Sequence, residues 1–104
     1  MNKAVAVVAA SLLIVCCRVQ ASETDTGKQI FNEAAQPSCA ICHTLSDAGS
    51  SGTIGPDLDE LKPSREQVIN AVTSGVGVMP AFGESLSTEQ IETLADYIVK
   101  VTAK

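Results

Sequence analysis

A chain of 104 residues, with 12 acidic and 7 basic side chains and a formal charge of −5, has room for one small domain. The acidic balance excludes nucleic acid as a partner, because binders of nucleic acid carry basic patches. Two Phe, one Tyr and no Trp leave a core short of bulk, the condition in which a small domain needs a staple.

The chain opens Met1-Asn2-Lys3, runs apolar over 4–17 with Ser11 as the only break, and passes through Arg18-Val19-Gln20-Ala21 into polar sequence. A charged start, a short apolar stretch and a small residue at the cut predict a secretory signal peptide over residues 1–21, with cleavage after Ala21. The stretch is too short for a spanning helix, so no membrane span is expected in the mature chain. The competing reading, an anchor lipidated at Cys16 or Cys17, is weakened by the bulk of Ile14 and Val15 before them. Cleavage leaves 83 of the 104 residues, 22–104, as a single domain, and removing Lys3 and Arg18 takes the charge from −5 to −7. Export places the two remaining cysteines in an oxidising compartment, the periplasm.

Residues 24–35, TDTGKQIFNEAA, predict a helix capped by Thr24 or Asp25, with Ile30, Phe31 and Ala34 on one face. Glu23 and Asp25 oppose the positive end of its dipole, and Gln36-Pro37 ends it. Gly27 lowers helix propensity and so invites a neighbour that crosses closely.

Next comes Cys39-Ala40-Ile41-Cys42-His43. Two thiols and an adjoining imidazole in this order are the signature of covalent haem c attachment, with Cys39 and Cys42 adding to the haem vinyl groups and His43 becoming an axial iron ligand. The alternatives are a Cys39 to Cys42 disulfide, a zinc site and a thioredoxin-like dithiol. Zinc lacks a conventional fourth ligand here, and the dithiol motif lacks βαβ patterning. His43 is the only His in the chain, and beyond Met1 the only Met is Met79. Met with His is the axial pair of electron-carrying haem proteins and raises the reduction potential.

Residues 45–55 are rich in Gly and Ser and predict a loop, leading to Gly55-Pro56-Asp57-Leu58. Ser64-Arg65-Glu66-Gln67 reads as a capping box, followed by Val68, Ile69 and Val72 at helical spacing and by Gly75 as a stop. Residues 75–83 form a Gly- and Pro-rich loop expected to present Val78, Met79 and Phe82 to an apolar interior. Ser87-Thr88-Glu89-Gln90 is a second capping box, and Ile91, Leu94, Ala95 and Ile98 continue it as the apolar face of a final helix. Glu92, Asp96 and Lys100 lie on the polar face. No segment alternates long enough to predict a strand, so the expected class is all-α.

Four segments, CAICH at 39–43, GPDL at 55–58, VMPAF at 78–82 and LADYI at 94–98, together resemble a small class I monohaem cytochrome c of bacteria. The resemblance spans nearly all of residues 22–104. It implies three to four helices and loops wrapped around one covalently bound haem, with Gly27 and Phe31 meeting Leu94 and Tyr97. It also implies that the Pro56 carbonyl accepts a hydrogen bond from His43 Nδ1. Cys39 and Cys42 would be the thioether residues, His43 and Met79 the axial ligands, and Pro56, Ile41, Val78 and Phe82 the haem environment. Function would be one-electron transfer, with Ile41, Val78, Ala81 and Phe82 forming a docking patch for a redox protein of basic or neutral surface. Relatives of this appearance serve periplasmic sulfite dehydrogenases, as free acceptors or as dedicated subunits, and a terminal oxidase is the other candidate partner. The rival reading is a haem sensor or peroxidase with an open sixth position, which needs Met79 to leave the iron.

Overall fold

The structure is a computed structural model that describes residues 22–103 together with Ile14, Val15 and Cys17. The expected leader otherwise lies outside the described residues.

Helix α1 runs Glu23–Gln29. Its cap is Ser22, whose hydroxyl accepts from the Asp25 N–H at 3.2 Å, rather than Thr24 or Asp25. The helix then widens into a π turn over Ile30–Ala34, where the Ala35 N–H donates five residues back to the Ile30 carbonyl. The wider turn rotates the residues at its end, so Ala35 is buried and the expected Ala34 is exposed. α2, Cys39–Cys42, is a single turn capped by Ser38.

The segment expected to be loop holds more order than its composition suggests. β1 (Thr44–Leu45) pairs antiparallel with β2 (Ser50–Ser51), joined by a 3-10 turn over Ser46–Ala48. Two residues per strand are too few to show alternation in a sequence. α3, Leu58–Leu61, starts from Asp57, whose carboxylate accepts from the Asp59 and Glu60 N–H groups. α4, Arg65–Ser74, and α5, Thr88–Thr102, both carry the predicted capping boxes, Ser64 with Gln67 and Ser87 with Gln90. Gly75 ends α4 at a φ of 73°, a conformation glycine reaches without strain.

The class is all-α: among the described residues three longer helices, α1, α4 and α5, are joined by single turns and loops, with the two-residue ladder as the only sheet. The core is aliphatic as the composition requires, with Phe31 and Tyr97 as its largest members alongside Leu45 and Leu94. At the crossing of α1 and α5 a Cβ on Gly27 would overlap the Tyr97 side chain, so the expected close approach is real. Arg65 of α4 reaches Asp96 of α5 at 2.7 Å, and Lys100 of α5 donates to Thr24 of α1 at 2.8 Å. No described helix is long and apolar enough to cross a membrane.

Candidate functional site

A cavity of about 580 Å³ opens between α2, the turn before α3, α4 and the loop over 75–83. Its wall holds Cys39, Cys42 and His43 on one side and Met79, Pro80 and Phe82 on another, with Val68, Val72, Leu94 and Ile98 from α4 and α5 as its floor. Residues 36 positions apart in sequence, His43 and Met79, therefore share one enclosure.

The His43 wall is built from short contacts. The His43 N–H donates to the Cys39 carbonyl at 2.9 Å, and the Gly55 N–H to the Cys42 carbonyl at 2.7 Å, which lays the adjoining Pro56 beside the imidazole. The Pro56 carbonyl then receives a hydrogen bond from His43 Nδ1 at 2.7 Å. A carbonyl can only accept, so Nδ1 carries the proton and Nε2 keeps its lone pair for a ligand. This contact is the one the family resemblance implied, and it orients the ring as partners of metal-binding His do. A Cβ at Gly55 would stand 2.6 Å from His43 Cε1, so only glycine leaves space for the ring.

Cys39 and Cys42 are half-buried at the two ends of the α2 turn and both are free thiols. Burial pushes the Cys39 thiol up to about 11, Cys42 adds to the rise, and a backbone hydrogen bond opposes it. Redox and nucleophilic cysteines have the opposite shift, toward the thiolate. Cys39 therefore lacks the lowered value of an exchange-active thiol. Among the described residues no cluster of three His, Cys, Asp or Glu side chains could hold a metal ion.

The Met79 wall is a loop that hangs from the end of α4. The Phe82 and Gly83 N–H groups donate to the Val72 and Thr73 carbonyls at 2.7 and 3.2 Å, using two acceptors that the helix end leaves unpaired. Val76 and Met79 exchange backbone hydrogen bonds at 3.1 and 2.9 Å, which closes a tight bend and turns the half-buried Met79 onto the core.

Three placements differ from expectation. Phe82 is buried as an anchor of the loop, so it cannot be a contact surface, while Val78 is 90 % exposed at the mouth because the bend through Gly77 carries it outward. Ile41 is also exposed and does not line the cavity, since the single turn that points Cys39 and Cys42 inward points Ile41 away. Ile54, Leu61 and Val76, which the sequence did not single out, are exposed and line the cavity beside Val78. The signal for Ile54 and Val76 was an apolar residue in a Gly-containing loop, which is weak by itself, and Leu61 ends the single helical turn α3.

The wall fits a haem. Its volume lies within the range of cofactor pockets and its lining is predominantly apolar. Two thiols, an imidazole with a free Nε2 and a thioether supply the donors for covalent attachment and axial ligation.

Comparison with known proteins agrees. Residues 22–98 match the family described as cytochrome C oxidase, cbb3-type, subunit III. The chain is 37 % identical over 87 residues to a cytochrome c6 of Gracilaria tenuistipitata var. liui, covering 76 % of this chain and 73 % of the relative. It is 32 % identical over 105 residues to the chloroplastic cytochrome c6 of Chlamydomonas reinhardtii, covering 89 % and 66 %. Among solved structures, that of the c-type cytochrome SorU from Sinorhizobium meliloti superposes with a TM-score of 0.74 at 50 % identity, covering 79 % of this chain and 93 % of that one.

Proposed function

We propose, because this chain belongs to the family of small class I monohaem cytochromes c and is an electron-transfer protein with covalently bound haem c, that it is a periplasmic one-electron carrier with His43 and Met79 as axial ligands. Haem c when bound supplies a couple between Fe(III) and Fe(II). The chain does the rest. Cys39 and Cys42 would tether the group through thioether bonds, Pro56 holds the His43 ring so that Nε2 is available as a ligand, and Met79 would supply the second ligand. The observation that carries this reading is the 2.7 Å contact between His43 Nδ1 and the Pro56 carbonyl in a cavity whose other wall holds Met79.

A thioether ligand and an apolar wall both favour the less charged ferrous state, so the potential is raised. The wall formed by Val68, Val72, Phe82, Leu94 and Ile98 keeps water from the ligands and does not need to move during the cycle. Export with removal of residues 1–21 completes the reading, as haem attachment outside the cytoplasm would require.

The partner we propose is a periplasmic dehydrogenase of the sulfite-oxidising kind, given the likeness of the four sequence segments to cytochromes that serve such enzymes. Sulfite and water yield sulfate, two protons and two electrons, so each turnover needs two one-electron deliveries to the cytochrome. Docking would use the exposed apolar rim of Ile54, Leu61, Val76 and Val78, within a small and transient contact. The test is stopped-flow reduction of the oxidised holoprotein by sulfite dehydrogenase and sulfite at rising ionic strength. Fast reduction that slows with salt supports a shuttle to a basic surface, whereas co-elution as a salt-resistant complex supports a subunit, and no reduction rejects this partner.

A further inference from the structure

Haem carries two carboxylates, and among the described residues the cavity wall contains no Asp, Glu, Lys or Arg side chain. The wall therefore offers a haem carboxylate only neutral groups, and its polar side chains can be sorted by what already occupies them. Ser38 donates its hydroxyl to the Phe31 carbonyl at 3.2 Å, and His43 commits Nδ1 to Pro56. The remaining one is Gln67, exposed and therefore at the mouth. Its Oε1 is fixed by the capping box, accepting from the Ser64 N–H at 2.8 Å. That bond orients the amide and leaves the Nε2 hydrogens as donors with no partner among the described residues. Arg65, two positions earlier, is turned the other way, held by Asp96 at 2.7 Å.

We infer that Gln67 is a positioning residue for the cofactor, its Nε2 donating to a haem carboxylate at the cavity mouth while its Oε1 caps α4. One side chain thus couples the start of a helix to the charge at the haem edge. A donor to the carboxylate stabilises its ionised form and lowers its pKa. Through that carboxylate Gln67 sets the pH range in which the reduction potential varies.

The inference rests on the haem-binding reading, and the two fail differently: without haem the protein has no Soret band, whereas with haem but without this contact the spectrum is normal and the potential unaffected. The experiment is spectroelectrochemical titration of the holoprotein from pH 5 to 9, as wild type, Gln67→Leu and Ser64→Ala. Both variants break the capping box and lose similar thermal stability. Gln67→Leu alone is expected to move the pH-dependent part of the potential upward by about one unit, the equivalent of one hydrogen bond to an ionised group. Gln67→Glu keeps the acceptor for Ser64 but loses the donor, and is expected to move the profile upward while keeping the stability. Coincident profiles for Gln67→Leu and Ser64→Ala, or a Gln67→Glu profile that overlays the wild type, overturn the inference.

Discussion

The His43 wall and the Met79 wall enclose the same cavity by different means. Around His43, a helical turn, a short hairpin and the Gly55-Pro56 turn converge within a few residues, and the ring is fixed at Nδ1 by a 2.7 Å bond. Around Met79, one loop hangs from two carbonyls at the end of α4 and is anchored by buried Phe82 and Leu86. The first wall is over-determined; the second has few ties between Gly75 and Phe82. The lesson is that the two proposed axial positions should differ in how easily they open, with the Met79 side opening first.

Met79→Ala tests this difference most severely. Removing the proposed ligand and leaving a cavity is expected to cost about 3 kcal/mol, to lower the potential and to let carbon monoxide bind the reduced form rapidly. The haem should stay attached, as haem staining of a denaturing gel would show. Gly55→Ala attacks the opposite wall. Its Cβ meets the His43 ring, and forcing extra bulk there is expected to cost about 2 kcal/mol in thermal unfolding. Carbon monoxide binding should stay slow, and rapid binding in this variant would break the contrast.

Tyr97 braces the His43 side from a distance. Its hydroxyl donates to Asp47 Oδ2 at 2.6 Å, tying α5 to the turn of the hairpin. Burial, and then the hydrogen bond to Asp47, push the hydroxyl well above its ordinary value. A raised value in the folded state means that the unfolded chain loses this proton first. The stabilisation is complete below about pH 10 and declines as pH rises toward the folded value. Tyr97→Phe is expected to cost about 1.5 kcal/mol at pH 7, and denaturant titrations should show the gap to wild type closing above pH 10. Arg65→Ala sets the baseline. The Arg65 to Asp96 pair is half exposed and touches neither wall, so its loss should change stability by less than about 0.5 kcal/mol.

Much of this arrangement is legible in the sequence where the determinants are local. The capping boxes at Ser64 and Ser87 announce α4 and α5 because donor and acceptor lie three residues apart. Gly27 signals a close crossing because glycine is otherwise unfavourable in a helix, and Tyr97 is the side chain it admits. The π turn after Gln29 is hidden, since a change from four- to five-residue bonding leaves no mark on composition, and so Ala35 replaces Ala34 in the core. α3 is hidden because four residues show no period. The bond between Tyr97 and Asp47 spans 50 residues and depends on the packing of both ends. Phe82 and Val78 lie four residues apart in the same loop, yet one is buried and the other is 90 % exposed, because hydrogen bonds to α4, and not hydropathy, set the path of the loop.

The coordination of the iron in the wild-type protein tests the central claim most directly. Absorption of the oxidised holoprotein should show the Met-to-iron charge-transfer band, and the reduced form should bind carbon monoxide slowly. Absence of the band with rapid carbon monoxide binding would mean that Met79 does not close the sixth position, and the protein would then be a sensor or a peroxidase rather than a carrier.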